Sequence, residues 1–173
     1  MTKTLLLLRH AKSSWDDPNL VDHDRPLAPR GKRASGLIAA YLRTHQIAPG
    51  LVPCSSSART RETLERISAG FAGEVEVEIE DDLYAATASD LLARLRKVSG
   101  DVESLMVIGH APVIPELARR LTGRGAERLR GKFPTAALAM LSFEGNWQGL
   151  APGAAELVDL MKPREPEASR HAN

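Results

Sequence analysis

His10 and His110 lie 100 residues apart, yet each closes the same kind of segment: "LLLLRH" over Leu5–His10 and "LMVIGH" over Leu105–His110. A short apolar run of this kind fits a buried parallel strand. In an open α/β sheet the carboxyl ends of such strands line the ligand crevice, so the two imidazoles could meet there. A third run ends in "PCSSSARTRET", Pro53–Thr63. It delivers Arg59 and Arg61 just inside the start of a helix, where a cation is electrostatically misplaced unless an anion sits there too. Arg9, His10, Arg59 and His110 together would make a small cationic pocket. Guanidinium forks match the oxygens of a phosphoryl group. A neutral imidazole attacks phosphorus through one nitrogen while the other donates a hydrogen bond that fixes the tautomer. Neighbouring guanidiniums keep that imidazole unprotonated and complement charge on the equatorial oxygens, so no metal or other cofactor is required.

These residues need a layered scaffold, and the hydrophobic pattern supplies one. Strand-like runs alternate with helical stripes, which argues for a three-layer α/β/α sandwich with a mainly parallel sheet. Residues 4–9 read as the first strand. From Pro29 to about Gln46, Ala34, Leu37, Ile38 and Tyr41 mark a helix packed on a sheet. Leu51–Ser55 is a second strand, followed by a helix carrying Leu64, Ile67 and Phe71. "EVEVEIE", Glu74–Glu80, alternates strictly and predicts an edge strand with one wet face and one buried face. Thr87 and Asp90 have the spacing of a capping box, and Leu91, Leu92, Leu95 and Val98 continue as a helix. Leu105–Gly109 is a strand, and Pro112 suits the first turn of a helix that stops at Gly123. The basic stretch 123–134 reads as a loop. Ala136–Phe143 and Glu156–Met161 read as strands antiparallel to a neighbour, because no helix separates them.

The 173 residues have the length of one domain, expected over 1–162, with a disordered tail over 163–173. Twenty-three basic side chains balance 22 acidic ones, so no general affinity for nucleic acid is expected. No apolar run reaches the ~20 residues of a membrane span, and four leucines are too short for a secretory leader. A cytoplasmic location is expected. Cys54 is the single cysteine, which excludes an intrachain disulfide and a cysteine zinc cage, and it reads as a small buried side chain. His23, His45 and His171 stand alone. Trp15 and Trp147 read as packing residues, and Arg61 as structural or rim. Lys12, Ser13, Lys132 and Thr135 are candidates for the mouth of the site.

Arg9-His10, "RPLAPRG" (Arg25–Gly31), "SARTRET" and Gly109-His110, in this order and spacing, resemble the histidine phosphatase superfamily. "LLRHAKSSW" and "DHDRPLAPRGKRA" are similar to its short SixA-type phosphohistidine phosphatases, which lack the cap insertions of acid phosphatases. The resemblance covers most of residues 3–162. It implies a phosphoglycerate mutase-like fold, a nucleophilic His10 that accepts the phosphoryl group, and Arg9, Arg59 and His110 around the phosphate. Arg25 and Ala111 are expected to contact substrate, although Arg25 with Asp24 also suits fixing the loop over the site. The usual glycine after Arg-His is Ala11 here. A second departure concerns the acid that protonates the leaving group, for which Asp81 and Asp82 are the nearest candidates, the alternative being solvated loop carboxylates. Without an acid, an imidazole leaving from protonated phosphohistidine departs far more readily than an alkoxide. The expected substrate is therefore a phosphohistidine-bearing protein. A small-molecule phosphomonoesterase or mutase, and a non-catalytic phosphate-binding module, remain open alternatives, as does the oligomeric state.

Overall fold

All four leucines of the first run are completely buried, and they face two different cores. Successive side chains in a strand point to opposite faces, so a strand that is apolar at every position must be covered on both. The computed structural model describes residues 1–164 and shows why this strand needs both covers. The elements in order are β1 (Thr2–Arg9), α1 (Pro29–Thr44), β2 (Leu51–Ser55), α2 (Ala58–Ile67), β3 (Glu76–Glu80), α3 (Ala88–Leu95), β4 (Ser104–Gly109), α4 (Val113–Leu121), β5 (Leu138–Glu144) and β6 (Glu156–Met161). They build one six-stranded sheet in the order β3-β2-β4-β1-β5-β6. Leu6 and Leu8 pack with Ile38 and Leu42 of α1 and Leu64 and Ile67 of α2. Leu5 and Leu7 pack on the other face with Leu91 and Leu95 of α3 and Ile114, Leu117 and Leu121 of α4. Burying a leucine fully is worth about 1.5–3 kcal/mol, so this one strand anchors both layers.

The three-layer sandwich is the expected one. β1, β4, β2 and β3 run parallel, whereas β5 pairs antiparallel with β1 and β6 antiparallel with β5. The capping box at Thr87 and Asp90 is formed in both directions, and Trp147 is fully buried edge-on to Phe143. Among the described residues no helix is long and apolar enough to cross a membrane.

Other expectations need correction. β3 begins at Glu76 rather than Glu74, and neither of its faces is well covered: Val77 and Ile79 are 42% and 49% exposed. Alternation in the sequence supplied an apolar face, but at the sheet edge no helix reaches far enough to bury it. Pro112 precedes α4 as its cap residue instead of lying in the first turn, and a short 3-10 turn, Ala126–Leu129, interrupts the expected loop. Trp15 is 71% exposed and does not pack in a core. Of the tail 163–173, residues 165–173 lie outside the described residues.

The start of α1 is pressed against the chain just beyond His10. A Cβ on Gly31 would stand 2.1 Å from the Lys12 carbonyl oxygen and 2.8 Å from the Lys12 nitrogen. Helix propensity alone would favour alanine over glycine by about 1 kcal/mol. The backbone clash reverses that sign. Gly31→Ala is expected to destabilise the fold by about 1–3 kcal/mol, a fall of roughly 2–12 °C in Tm measured by thermal unfolding; an unchanged or raised Tm would contradict the contact.

Candidate active site

Parallel register brings the two histidines together. Arg9 of β1 pairs with Gly109 of β4, so the next residue on each strand is a histidine, and the His10 N–H donates to the Gly109 carbonyl at 3.0 Å. The two rings lie 5.3 Å apart between centroids, tilted by 57°. Ser55, the last residue of β2, follows the Cys54–Ile108 pairing and faces His110, with Oγ 2.8 Å from His110 Nε2. Three neighbouring parallel strands thus end on one crevice, where α/β sheets bind ligands.

His10 is 8% exposed, and its Nδ1 lies 2.7 Å from the Ala11 carbonyl oxygen. A carbonyl only accepts, so in the neutral ring Nδ1 carries the proton and Nε2 holds the lone pair. Ala11 is itself fixed, its N–H donating to Thr63 Oγ1 at 3.0 Å. It does not adopt positive φ, so glycine is not needed at this position. Ala136 does, at φ 62, a conformation that favours glycine. Its N–H is shared by the Arg9 and His10 carbonyls at 3.0 and 2.9 Å, which holds the turn under the site.

Arg59, in the first turn of α2, is the cation whose position called for an anion. The anion is the chain's own Asp22: Arg59 Nη1 donates to the Asp22 carbonyl oxygen at 2.9 Å and Nη2 to Asp22 Oδ2 at 3.0 Å. Nη2 also lies 3.5 Å from His110 Nδ1. Arg9 donates through Nη1 to the Phe133 carbonyl at 2.8 Å, while its buried Nε has no acceptor among the described residues. Arg25 binds within its own loop, donating to the Ser14 carbonyl, Asp22 Oδ1 and Ser13 Oγ at 3.0, 2.9 and 2.6 Å. It stacks over Trp15 at 3.2 Å from the ring centre. Ala111 is exposed immediately beyond His110, and Arg61 is exposed on α2. Lys12 and Thr135 share a neighbouring cleft of about 70 Å³ with Arg30 and Leu37.

Asp81 and Asp82 line a separate surface depression with Glu80, Asp90, Arg94 and Lys97. From the same turn it is Tyr84 that reaches the site: its hydroxyl donates to Asp22 Oδ2, and its ring meets His110 and His23 edge-on. His23 is therefore not isolated, and its Nε2 lies 2.9 Å from Ser56 Oγ. Asp22, Tyr84 and Ser55 are the site residues that sequence reasoning missed. Ser55 had a signal, as the last residue of a predicted strand whose end delivers Arg59 to the same pocket as His110. Asp22 had part of one, its three-residue spacing from Arg25; its other side-chain partners, Arg59 and Tyr84, are 37 and 62 residues away. Among the described residues no group of three or more His, Cys, Asp or Glu side chains is placed to share a metal ion.

The family-model comparison matches the histidine phosphatase superfamily (branch 1) over residues 5–86. An uncharacterized protein of Mycobacterium tuberculosis is 37% identical over 163 residues, covering 91% of this chain and all of its own length. The chain belongs to the histidine phosphatase superfamily. Two solved structures, each described as a proposed phosphohistidine phosphatase SixA, share its fold. The one from Nakamurella multipartitia has TM-score 0.84 at 34% identity and covers 94% of this chain and 97% of its own. The one from Agrobacterium tumefaciens has TM-score 0.81 at 28% identity and covers 93% and 98%. This histidine phosphatase is SixA-type in fold, and the family match together with that likeness makes it a phosphatase.

Burial drives the ionisation of this phosphatase's site. Desolvation pushes His10 down to about 3 and His110 down to about 4, with Arg59 and Arg9 adding repulsion at both rings. The Ala11 hydrogen bond opposes the shift at His10, and Asp22 opposes it at His110. Each folded-state pKa lies below the unfolded value of 6.5, so the unfolded chain binds the extra protons. Stability is then complete above about pH 6.5 and falls as pH drops towards 4 and 3, by up to about 1.4 kcal/mol per pH unit for each ring. In ¹⁵N NMR of the free protein, the His10 and His110 rings are expected to stay neutral from pH 8 to below 5, with His10 protonated on Nδ1; titration of either ring near 6.5 would contradict this.

Proposed function

We propose that this phosphatase works through a phosphohistidine formed on His10 and that its substrate is phosphohistidine carried by another protein. The observation that carries the reading is the buried His10 ring, held through Nδ1 by the Ala11 carbonyl with Nε2 as the free nucleophile, in a cup that also holds Arg9, Arg59 and His110. Nε2 forms a bond to phosphorus as the bond to the leaving group breaks, and the leaving group departs with the electron pair. The His10 ring then carries both phosphoryl and the Nδ1 proton, and its positive charge falls on the hydrogen bond to Ala11. That same charge makes His10 a good leaving group for the second step, in which water attacks phosphorus, Nε2 recovers its lone pair and a proton is released with phosphate. Arg9 and Arg59 face the charge on the transferring oxygens, which would give the unpaired Arg9 Nε an acceptor, while His110 forms the opposite wall.

The substrate class rests on the leaving group. Asp22, the carboxylate hydrogen-bonded into this site, is held at about 2 by the Tyr84 hydroxyl and by Arg25 and Arg59, so it does not carry a proton to donate. Tyr84 is made a weaker acid by the same bond. A leaving group that needs no protonation from the enzyme, such as the imidazole of protonated phosphohistidine, suits this arrangement better than an alkoxide. The likeness to two solved structures described as proposed phosphohistidine phosphatases SixA supports the same choice. We propose a cytoplasmic location, where a phosphohistidine-bearing protein would meet it.

Incubation with a phosphodonor is expected to give acid-labile, base-stable phosphate on the wild-type protein and none on His10→Ala. A phosphohistidine peptide and an aryl phosphate should be turned over faster than an alkyl phosphate. Labelling that survives His10→Ala would overturn the assigned nucleophile; equal rates on the alkyl phosphate would overturn the substrate class.

A further inference from the structure

We propose that Asp22 is the positioning residue of this site, a carboxylate that locks the Arg59 guanidinium in the orientation needed for the transferring phosphoryl group and that Tyr84 in turn locks in place. Arg59 is gripped at two points by one residue, its two terminal nitrogens bonding the backbone oxygen and the carboxylate of Asp22. Two contacts from one residue fix the plane of the fork as well as its distance. The guanidinium has five N–H groups, so this grip leaves others to face His110 and the phosphoryl group.

Asp22 is equally constrained. Arg25 holds Oδ1 from the loop side, and the Tyr84 hydroxyl holds Oδ2 from the turn that follows β3. Loop, helix α2 and that turn are thus joined at one carboxylate, at the mouth of the crevice. Its side chain is 48% exposed, whereas that of Arg59 is 9% exposed. A buried cation at a helix start would otherwise be unfavourable and free to sample other rotamers. Fixing it before substrate arrives removes reorganisation from the reaction step, and a misplacement of about 1 Å at such a group can cost about 100-fold in rate.

The inference rests on the phosphatase reading of this site but not on the identity of the covalent intermediate. Asp22→Asn keeps the shape and removes the charge. With an aryl phosphate, this variant is expected to lose about 10- to 100-fold in kcat with KM changed less than about threefold. In an Arg59→Ala background the same substitution should cost less than about twofold, because the group it positions is gone. Tyr84→Phe should lower kcat by about 3- to 10-fold, an effect that disappears when Asp22→Asn is already present. Thermal unfolding reports whether each variant is folded. Wild-type-like kcat in Asp22→Asn, or an equal loss with and without Arg59, would overturn the proposal. Turnover is read directly, so failure to trap phosphate on His10 would leave this cycle readable and the two failures separate.

Discussion

The hydrogen bond between His10 Nδ1 and the Ala11 carbonyl decides what the rest of the site can be. It selects the tautomer, turns Nε2 into the crevice, and can stabilise the ring once phosphorylated. The bond exists because β1 ends at this point: the strand's last pairing is Arg9 with Gly109, after which the backbone turns and Ala11 is held by Thr63. Its strength depends on dryness, since both partners are buried. The four leucines behind it provide that dryness by anchoring a layer of helices on each face of the sheet. The apolar run and the polar pair that ends it are therefore one device, a rigid dry strand presenting an oriented imidazole at its tip.

Charge in the site is arranged rather than merely accumulated. Arg25 and Arg59 both bond Asp22, Arg9 keeps one buried donor without an acceptor among the described residues, and burial keeps the two imidazoles neutral. A cup built only of cations would hold phosphate product as firmly as the transition state, which lowers KM without raising kcat. Pairing two of the guanidiniums with a fixed carboxylate limits that uniform attraction while keeping their directions set.

Much of this was legible because two signals agreed. Strand-like runs ending in Arg9-His10 and Gly109-His110 pointed to the crevice, and the helix with Arg59 just inside its start pointed to a third wall. The sandwich followed from strand-like runs alternating with helical stripes. What was not legible depended on contacts between distant loops. Asp22 looks like one of several acidic residues near Trp15, and only the folded chain shows that Arg59 and Tyr84 converge on it. Asp81 and Asp82 were close to Tyr84 in sequence, but their turn sends the tyrosine into the site and the carboxylates to a surface depression. Tryptophan is usually buried, so the sequence predicts packing for Trp15, whereas in the fold its exposed ring carries the Arg25 guanidinium. The alternation in β3 predicts a strand, which forms, and a buried face, which does not, since burial at a sheet edge depends on whether a helix extends that far.

The central claim is that a neutral His10, through Nε2, bonds directly to phosphorus. A crystal structure with orthovanadate tests this most directly, because vanadate adopts the five-coordinate geometry of the phosphoryl transition state. The account predicts vanadium bonded to His10 Nε2, with Nδ1 still on the Ala11 carbonyl and Arg9 and Arg59 on the equatorial oxygens. Vanadate bound in the crevice through any other side chain, or a His10 ring turned so that Nδ1 faces the metal, would contradict it.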